Sequence, residues 1–199
     1  MNIADTLSGA TRVIAILGDP IAQVKSPSGV TQRLIDRGVN AVVIPIHVTP
    51  ADLAGFIQGL SLARNVDGLI LTVPHKLETY RLCATATERA HFLEGVNVMR
   101  RNANGSWHGD HADGLGFVEA QRAEGCVIEG RRVLLVGAGG AGTAIAQAVL
   151  DAGAAELAIH DGDALKRDGL IRRLRERHGE RVRAGSTDPG GFDVVFNAT

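Results

Sequence analysis

The sequence predicts an α/β protein with two domains. Short apolar runs rich in β-branched residues alternate with longer helix-forming runs, which is the order that builds a parallel sheet. One of these runs leads into three glycines at the spacing G-x-G-x-x-G, namely Gly137, Gly139 and Gly142. The 199 residues include 25 glycines and only 4% aromatic residues, which suits a fold with many tight turns between strands and helices.

Residues 1–112 are predicted to form a mixed but mostly parallel α/β domain. Ser26 and Thr49 stand where N-caps of the first two helices are expected, and Asn104-Gly105 is a type I′ hairpin signal. The hairpin should lie at the edge of the sheet, and residues 1–11 are expected to be a loose leader. The predicted strands are 13–17, 41–47, 68–73, 96–100 and 106–108, and the predicted helices are 27–37, 51–62 and most of 77–93.

Residues 113–199 are predicted to form a second, incomplete parallel domain. It contains at most four strands, fewer than a two-halved dinucleotide-binding sheet needs, and no crossover helix follows the last strand. The chain is therefore expected to be truncated, cleaved or incomplete at its C-terminus. The predicted helices are 113–124, 143–152 and 163–177, and the predicted strands are 133–136, 157–160, 181–184 and 192–196.

The glycine motif indicates a partial Rossmann-type, dinucleotide-binding domain, because a strand precedes it and a helix follows. Gly137 allows a sharp turn, Gly139 lets the backbone approach a pyrophosphate, and Gly142 lets the helix pack close to the strand. Asp161 ends the next strand about 20 residues further on, where a carboxylate can bind the ribose hydroxyls of NAD. The alternative is an ordinary βαβ unit with a tight turn.

Composition excludes several other classes. The net charge of −1 gives no reason to expect a nucleic acid or an anionic membrane as partner. Cys83 and Cys126 lack the spacing of a disulfide or metal site, so a reduced cytoplasm is the expected setting and no metal is predicted. No apolar run is long enough to span a bilayer, and the N-terminus lacks the features of a secretory signal.

Most of the candidate polar residues follow predicted strands, where ligands of α/β sheets gather, whereas Asn97 lies on the predicted strand 96–100. Ser26 can offer a hydroxyl to a carboxylate or merely cap a helix. Lys76 can accept a proton in a partly dry cleft or be a solvated surface lysine. Asp113 can pair with that lysine or cap a helix, Asn97 suits a substrate hydroxyl, and His75 can titrate near neutrality or simply be packed.

Taken together, these stretches resemble the shikimate dehydrogenase family. Six motifs stand in the family's order and cover nearly the whole chain. The family's forms, which this sequence matches fully or in part, are G-x-P-I-x-H-S-x-S-P at 18–27, T-V-P-x-K at 72–76, V-N at 96–97, G-D-N-T-D-G at 109–114, the glycine motif at 137–142, and a strand ending in N-A-T at 194–199.

The resemblance implies a substrate domain followed by a nucleotide domain, and reversible oxidation of a ring hydroxyl on shikimate, quinate or a similar acid. It implies that Lys76 and Asp113 form the catalytic pair, that Asn97 holds ring hydroxyls, and that Ser26 and Thr72 bind the substrate carboxylate. A monomer or homodimer is expected. The predicted cofactor-binding residues are Gly137, Ala138, Gly139, Gly140, Ala141, Gly142, Asp161, Asn197 and Thr199.

The opening motif departs from the family's pattern. Its H-S pair is Gln23-Val24 here, and Val24 has no hydroxyl. A hydrogen bond to a charged group contributes about 1.5–3 kcal/mol, so either shikimate is held weakly or the substrate has a different head group. Ile70 replaces an Asn common in the family, and His111-Ala112 replaces N-T.

The cofactor segment departs as well. Family members that use NADP often carry N-R-T after the second strand, whereas residues 160–163 are His-Asp-Gly-Asp. A carboxylate repels a 2′-phosphate, so NAD is predicted over NADP, although Lys166 and Arg167 lie nearby. The leading hypothesis is an NAD-dependent dehydrogenase. The alternatives are a non-catalytic sensor of the same fold and a remnant completed by another subunit.

Overall fold

The computed structural model of the protein describes residues 7–199. The chain forms two compact units, one ending at His111 and the other running from Ala112 to Thr199. Residues 1–6 of the predicted leader lie outside the described residues, and Thr11 at its end is buried. No helix in the described part of the chain is long and apolar enough to cross a membrane.

The first unit is a six-stranded mixed sheet with helices, as described for residues 7–111. Its strands are β1 (Arg12–Gly18), β2 (Ala41–His47), β3 (Val66–Leu71), β4 (Thr85–Ala86), β5 (Val98–Arg101) and β6 (Trp107–Asp110). Its helices are α1 (Ser26–Asp36), α2 (Leu53–Leu60), α3 (Lys76–Arg81) and α4 (Glu88–Leu93). The strand order is β2-β1-β3-β5-β6-β4.

The parallel half of this sheet determines at which edge of the sheet the candidate site lies. β1 pairs in parallel with β2 and β3, and the register places Gly18 beside His47 and Leu17 beside Leu71. The carboxyl ends of the three strands therefore meet at one edge. Leu17 and Leu71 are at most 2% exposed, because α2 covers this part of the sheet with Leu53 and Ile57.

Residues 77–93, expected to be mostly helical, form two short helices separated by a strand rather than one long helix. Helix α3 ends at Arg81, β4 follows, and α4 begins at Glu88. The Ala84 N–H donates to the Trp107 carbonyl, and the Thr87 N–H donates to the Gly109 carbonyl, so this segment pairs with β6. Tertiary pairing overrides local helix propensity here, and it makes β4, rather than the hairpin, the edge of the sheet.

The hairpin between β5 and β6 does not use the expected type I′ turn. That turn needs positive φ at two central residues, but of Asn104 and Gly105 only Gly105 has it, at 84°. The Gly105 N–H donates to the Asn102 carbonyl, which closes the turn. The Asn104 side chain instead accepts from the Ser106 N–H at 3.0 Å. An Asn side chain can form this local hydrogen bond while its own backbone keeps a negative φ, so Asn104 does not need the left-handed conformation of a type I′ turn.

The expected cap at Thr49 is also wrong. Its hydroxyl donates to the Asp52 carboxylate at 2.7 Å, and α2 begins only at Leu53. A turn closed by the Asp52 N–H and the Thr49 carbonyl precedes the helix. The hydroxyl is therefore engaged by a side chain, and no side-chain cap is formed at this helix start.

The second unit is a parallel sheet of the Rossmann type over residues 112–199. Its strands are β7 (Arg132–Val136), β8 (Glu156–His160), β9 (Val182–Ala184) and β10 (Val194–Asn197), in the order β10-β7-β8-β9. Its helices are α5 (Asp113–Ala123), α6 (Gly140–Asp151) and α7 (Ala164–His178), and a 3₁₀ turn follows α7. All three strand pairings are parallel.

Helix packing in this unit depends on small residues. A Cβ added to Gly114 of α5 would lie 2.1 Å from the Ala144 carbonyl oxygen of α6, so only glycine permits this approach. Beneath α6, the central residues of β7 and β8 are fully buried. The strand–turn–helix order of the glycine motif is confirmed, although α6 begins at Gly140 and so includes Gly142, the last glycine of the motif.

Candidate functional site

The glycine turn between β7 and α6 gives each motif glycine a different environment. Gly137 has φ of 107°, and its N–H donates to the His160 carbonyl at 2.8 Å. A Cβ on Gly142 would lie 2.0 Å from the Gly137 carbonyl oxygen. A Cβ on Gly139 would meet no atom within 4 Å. The first and third glycines are therefore required by the protein itself, whereas Gly139 borders open space.

A pocket of about 420 Å³ opens at this turn, at the carboxyl edge of the second sheet. Four of the predicted cofactor residues line it, together with Val136, His160, Gly162, Thr187 and Ala198, which were not predicted. Because the free N–H groups of a helix N-terminus favour anions, the edge is suited to a phosphate-bearing ligand. The four predicted lining residues are Gly137, Gly139, Asp161 and Thr199.

The other predicted cofactor residues lie around this pocket without lining it. Gly140 and Ala141 are exposed at the start of α6, and Ala138 and Gly142 are buried behind the turn. Asn197 ends β10, and its side-chain oxygen accepts from the Thr199 N–H and hydroxyl at 3.1 and 2.9 Å. Asn197 therefore shapes the loop that carries Thr199.

Asp161 connects the glycine turn to the end of β8. One carboxylate oxygen accepts from the Ala138 N–H at 2.7 Å and the other from the Asp163 N–H at 2.8 Å. These two hydrogen bonds hold the pKa of Asp161 below its ordinary value. The carboxylate is therefore ionised at neutral pH and fixed in orientation at the pocket wall.

In the first unit, main-chain hydrogen bonds bring two predicted substrate residues, Thr72 and Asn97, and the predicted catalytic residue Lys76 to one edge. The Thr72 N–H donates to the carbonyl of Leu17, the end of β1, at 3.0 Å. The Leu71 N–H donates to the Asn97 carbonyl at 2.8 Å, and the Val96 N–H donates to the Lys76 carbonyl at 2.9 Å. Lys76 is half-buried and Asn97 is buried.

The loop after β1 carries the residues that depart from the family motif. The Gln23 amide donates to the Pro20 carbonyl at 2.6 Å, so it folds back on its own loop. Val24 is half-buried and Ser26 is exposed. The N-cap prediction for Ser26 is wrong, because Ser26 is the first residue of α1 and Lys25 precedes it as the cap. Pro27, fixed at a helical φ, allows this earlier start.

Two further candidates are placed by local structure. His75 is 1% exposed, and its Nε2 lies 2.8 Å from the Val48 carbonyl oxygen, so the packed interpretation of this histidine is the one observed. Asp113 is exposed and is the first residue of α5, after Ala112 at the N-cap. Asp113 is therefore not the cap, and its charge lies where a helix N-terminus favours it.

These observations define a class: an α/β protein of two units whose second unit has a Rossmann-type glycine turn. Residues 16–99 match the model of the shikimate dehydrogenase substrate binding domain. The shikimate dehydrogenase (NADP(+)) of Rubrobacter xylanophilus is 34% identical over a gapped alignment of 201 positions that covers 97% of this chain and 69% of that protein. The chain belongs to the shikimate dehydrogenase family.

Other comparisons agree with this assignment. The shikimate dehydrogenase (NADP(+)) of Stenotrophomonas maltophilia is 33% identical and is matched over 93% of this chain and 66% of its own length. The crystal structure of 5-ketofructose reductase from a Gluconobacter species is 27% identical with a TM-score of 0.86, covering 96% of this chain and 70% of that one. The chain thus spans about two thirds of these proteins. All three are named as enzymes, so the sensor hypothesis gains no support from them.

Proposed function

We propose that the protein is an NAD(P)-dependent oxidoreductase that interconverts a ring hydroxyl and a ketone on a cyclic polyhydroxy acid of the shikimate or quinate type. The proposal rests on Thr72, Lys76 and Asn97, which main-chain hydrogen bonds gather at one sheet edge. In this proposal residues 1–112 bind the substrate and residues 113–199 bind the nucleotide. The named relatives support the same reaction class.

The residues of the second unit fit a dinucleotide. No atom lies within 4 Å of a Cβ built on Gly139 or Gly140, which leaves room for a pyrophosphate against the backbone. Both glycines stand at the N-terminus of the 12-residue helix α6, whose dipole favours phosphate. When bound, the nicotinamide supplies hydride transfer, and the protein supplies placement and a path for the proton.

In the first unit, we assign the role of proton acceptor and donor to Lys76. Its amine takes the hydroxyl proton as the carbon is oxidised and returns it in the reverse direction. Asn97 holds ring hydroxyls, since its side chain both donates and accepts hydrogen bonds. Ser26 and Thr72 donate hydroxyl hydrogen bonds to the substrate carboxylate.

We further propose NAD as the preferred nucleotide, although both relatives are named for NADP(+). The ionised Asp161 at the pocket repels a 2′-phosphate and accepts from a free ribose hydroxyl. The two nearby cations face carboxylates of their own: Lys166 Nζ lies 3.8 Å from Asp163, and Arg167 Nε lies 2.7 Å from Asp168. Each cation therefore already has an anionic neighbour on α7 or at its start.

Substitution of Asp161 tests this preference. Asp161→Ala is expected to shift the ratio of kcat/KM for NAD over that for NADP by about tenfold toward NADP, because a fixed negative charge is removed. Asp193→Ala is the matched control, since its carboxylate also accepts a backbone N–H, from Arg132 at 2.8 Å, but at the amino end of β10. An unchanged ratio in Asp161→Ala contradicts the ribose assignment.

A second substrate class, a neutral polyhydroxy ketone, is favoured by Val24. The family places a hydroxyl donor for the carboxylate at this position, and Val24 cannot donate. The 5-ketofructose reductase with the same fold is named for a sugar ketone, which has no carboxylate to bind. The first unit therefore suits either a weakly held acid or a neutral polyol.

Val24→Ser separates the two classes. If the substrate is an acid, the new hydroxyl should lower KM for shikimate or quinate about ten- to a hundredfold, the value of one hydrogen bond to a charged group. Val24→Ala controls for the loss of volume alone. An unchanged KM for the acid in Val24→Ser, with turnover of a neutral polyhydroxy ketone, would overturn the acid assignment.

A further inference from the structure

Asp110, the last residue of β6, gathers an unusual number of donors within the first unit. One carboxylate oxygen accepts from the Thr87 hydroxyl at 2.6 Å, from Arg89 Nε at 2.7 Å and from the His111 N–H at 2.7 Å. The other accepts from Arg89 Nη2. Burial raises the pKa of Asp110, but hydrogen bonds from Arg89, Thr87 and His111 outweigh it and leave the pKa below its ordinary value.

The main chain of the same residue holds a proposed substrate residue. The Asp110 carbonyl accepts from the Asn97 N–H at 3.0 Å, and the Asn97 carbonyl accepts from the Leu71 N–H at 2.8 Å. Asn97 therefore forms main-chain hydrogen bonds with both β6 and β3, and it lies one residue before β5 begins. Asn97 is 7% exposed. The position of Asn97 depends on where the end of β6 lies.

The carboxylate of Asp110 fixes that end. Thr87 and Arg89 belong to the start of α4, and the Thr87 N–H also donates to the Gly109 carbonyl at 3.1 Å. The charge-assisted hydrogen bonds therefore connect Asp110, the last residue of β6, to the start of α4. Without them, this end of β6 would be held by its main-chain pairing with β5 and β4, and no side chain of α4 would fix Asp110.

We infer that Asp110 is a positioning residue, which sets the place of Asn97 for the substrate ring through the end of β6. The inference rests on the proposed function, in which Asn97 holds ring hydroxyls. Asp110 does not itself touch the substrate in this scheme. It acts through one backbone hydrogen bond, and Thr87 and Arg89 act through Asp110.

A second arginine–aspartate pair in the same unit provides a matched control. Arg12 Nε donates to Asp67 at 2.7 Å, and Arg12 Nη2 donates to the other oxygen of that carboxylate. This pair joins the amino-terminal parts of β1 and β3, at the opposite edge from Asn97. Asp67→Asn removes a similar charge-assisted pair without altering the end of β6.

The kinetic test compares the two substrates of the enzyme. Asp110→Asn should raise KM for the cyclic acid about tenfold, while KM for the nucleotide stays within about twofold, and Asp67→Asn should change neither. In an Asn97→Ala background, Asp110→Asn should add nothing, because the residue it positions is gone. Thr87→Val removes a hydroxyl that donates to Asp110 and should also raise KM for the cyclic acid. Thr87→Ser keeps a hydroxyl and should leave this KM near its unsubstituted value. Equal effects on both KM values, or full additivity with Asn97→Ala, would overturn the inference.

Hydrogen exchange tests the same inference without turnover. Amides of residues 94–99 should exchange faster in Asp110→Asn than in the unsubstituted protein, and at the unsubstituted rate in Asp67→Asn. Unchanged exchange in Asp110→Asn would contradict the inference whatever the activity. Turnover by the unsubstituted protein tests the proposed function separately, so failure of one is distinguishable from failure of the other.

Discussion

Lys76→Ala is expected to lower kcat/KM for the cyclic acid by about 10²–10⁴, the usual contribution of a positioned proton-transfer group. The amine is the proposed proton acceptor, and alanine leaves the substrate hydroxyl without one. Nucleotide affinity should be unchanged, because the glycine turn and its pocket belong to the second unit. Steady-state rates and a nucleotide titration measure the two effects.

Arg81→Ala is the control for this substitution. Arg81 is the last residue of the same helix, α3, and is an exposed cation that pairs with Glu78 at 3.0 Å. Its removal should leave kcat/KM nearly unchanged, since exposed ion pairs contribute little. Comparable turnover in Lys76→Ala and the unsubstituted protein would remove Lys76 from the reaction.

Gly139→Ala is expected to weaken nucleotide binding by about ten- to a hundredfold while leaving the fold intact. A methyl group at this position meets no protein atom within 4 Å, so it costs the folded unit little. It would occupy the space that a pyrophosphate needs, and overpacking of this kind costs about 1–3 kcal/mol. Titration of the nucleotide together with urea unfolding measures both quantities.

Gly142→Ala should show the reverse order of effects. Its Cβ would lie 2.0 Å from the Gly137 carbonyl, so the free energy of unfolding should fall by about 1–3 kcal/mol even without nucleotide. Gly169→Ala in α7, which also meets open space, should change neither binding nor stability unfavourably. Undiminished nucleotide affinity in Gly139→Ala would contradict a pyrophosphate at the turn.

Much of the fold follows from local patterns in the sequence. The apolar runs of β1, β2, β7 and β8 and the glycine turn are short-range signals, and each predicts its element within a few residues. The interruption of the predicted helix at β4 is different, because it arises from pairing with β6, more than 20 residues away. No local pattern around Thr85 reports that pairing.

In the candidate site, too, some residues are indicated by local sequence patterns and others only by the three-dimensional structure. Motifs predict Lys76 and Asn97 as site residues, and the end of a predicted strand indicates Asp161, which lines the pocket. His160 and Thr187 were missed, although they line the pocket. His160 is the last residue of β8, a position that could have drawn attention, whereas Thr187 lies in an irregular loop after the edge strand with no motif of its own. Asp110 stood inside a recognised motif, but its donors come from α4 and are visible only in three dimensions.

The proposed dehydrogenase activity is tested most directly by following the absorbance of reduced nicotinamide in mixtures of the protein with shikimate or quinate and NAD or NADP. Reduction of NAD with at least one of these acids, faster than reduction of NADP and lost in Lys76→Ala, is the expected result. Absence of reduction with every pair, from protein shown to be folded and to bind NAD, would contradict the assignment of a cyclic polyhydroxy acid as substrate.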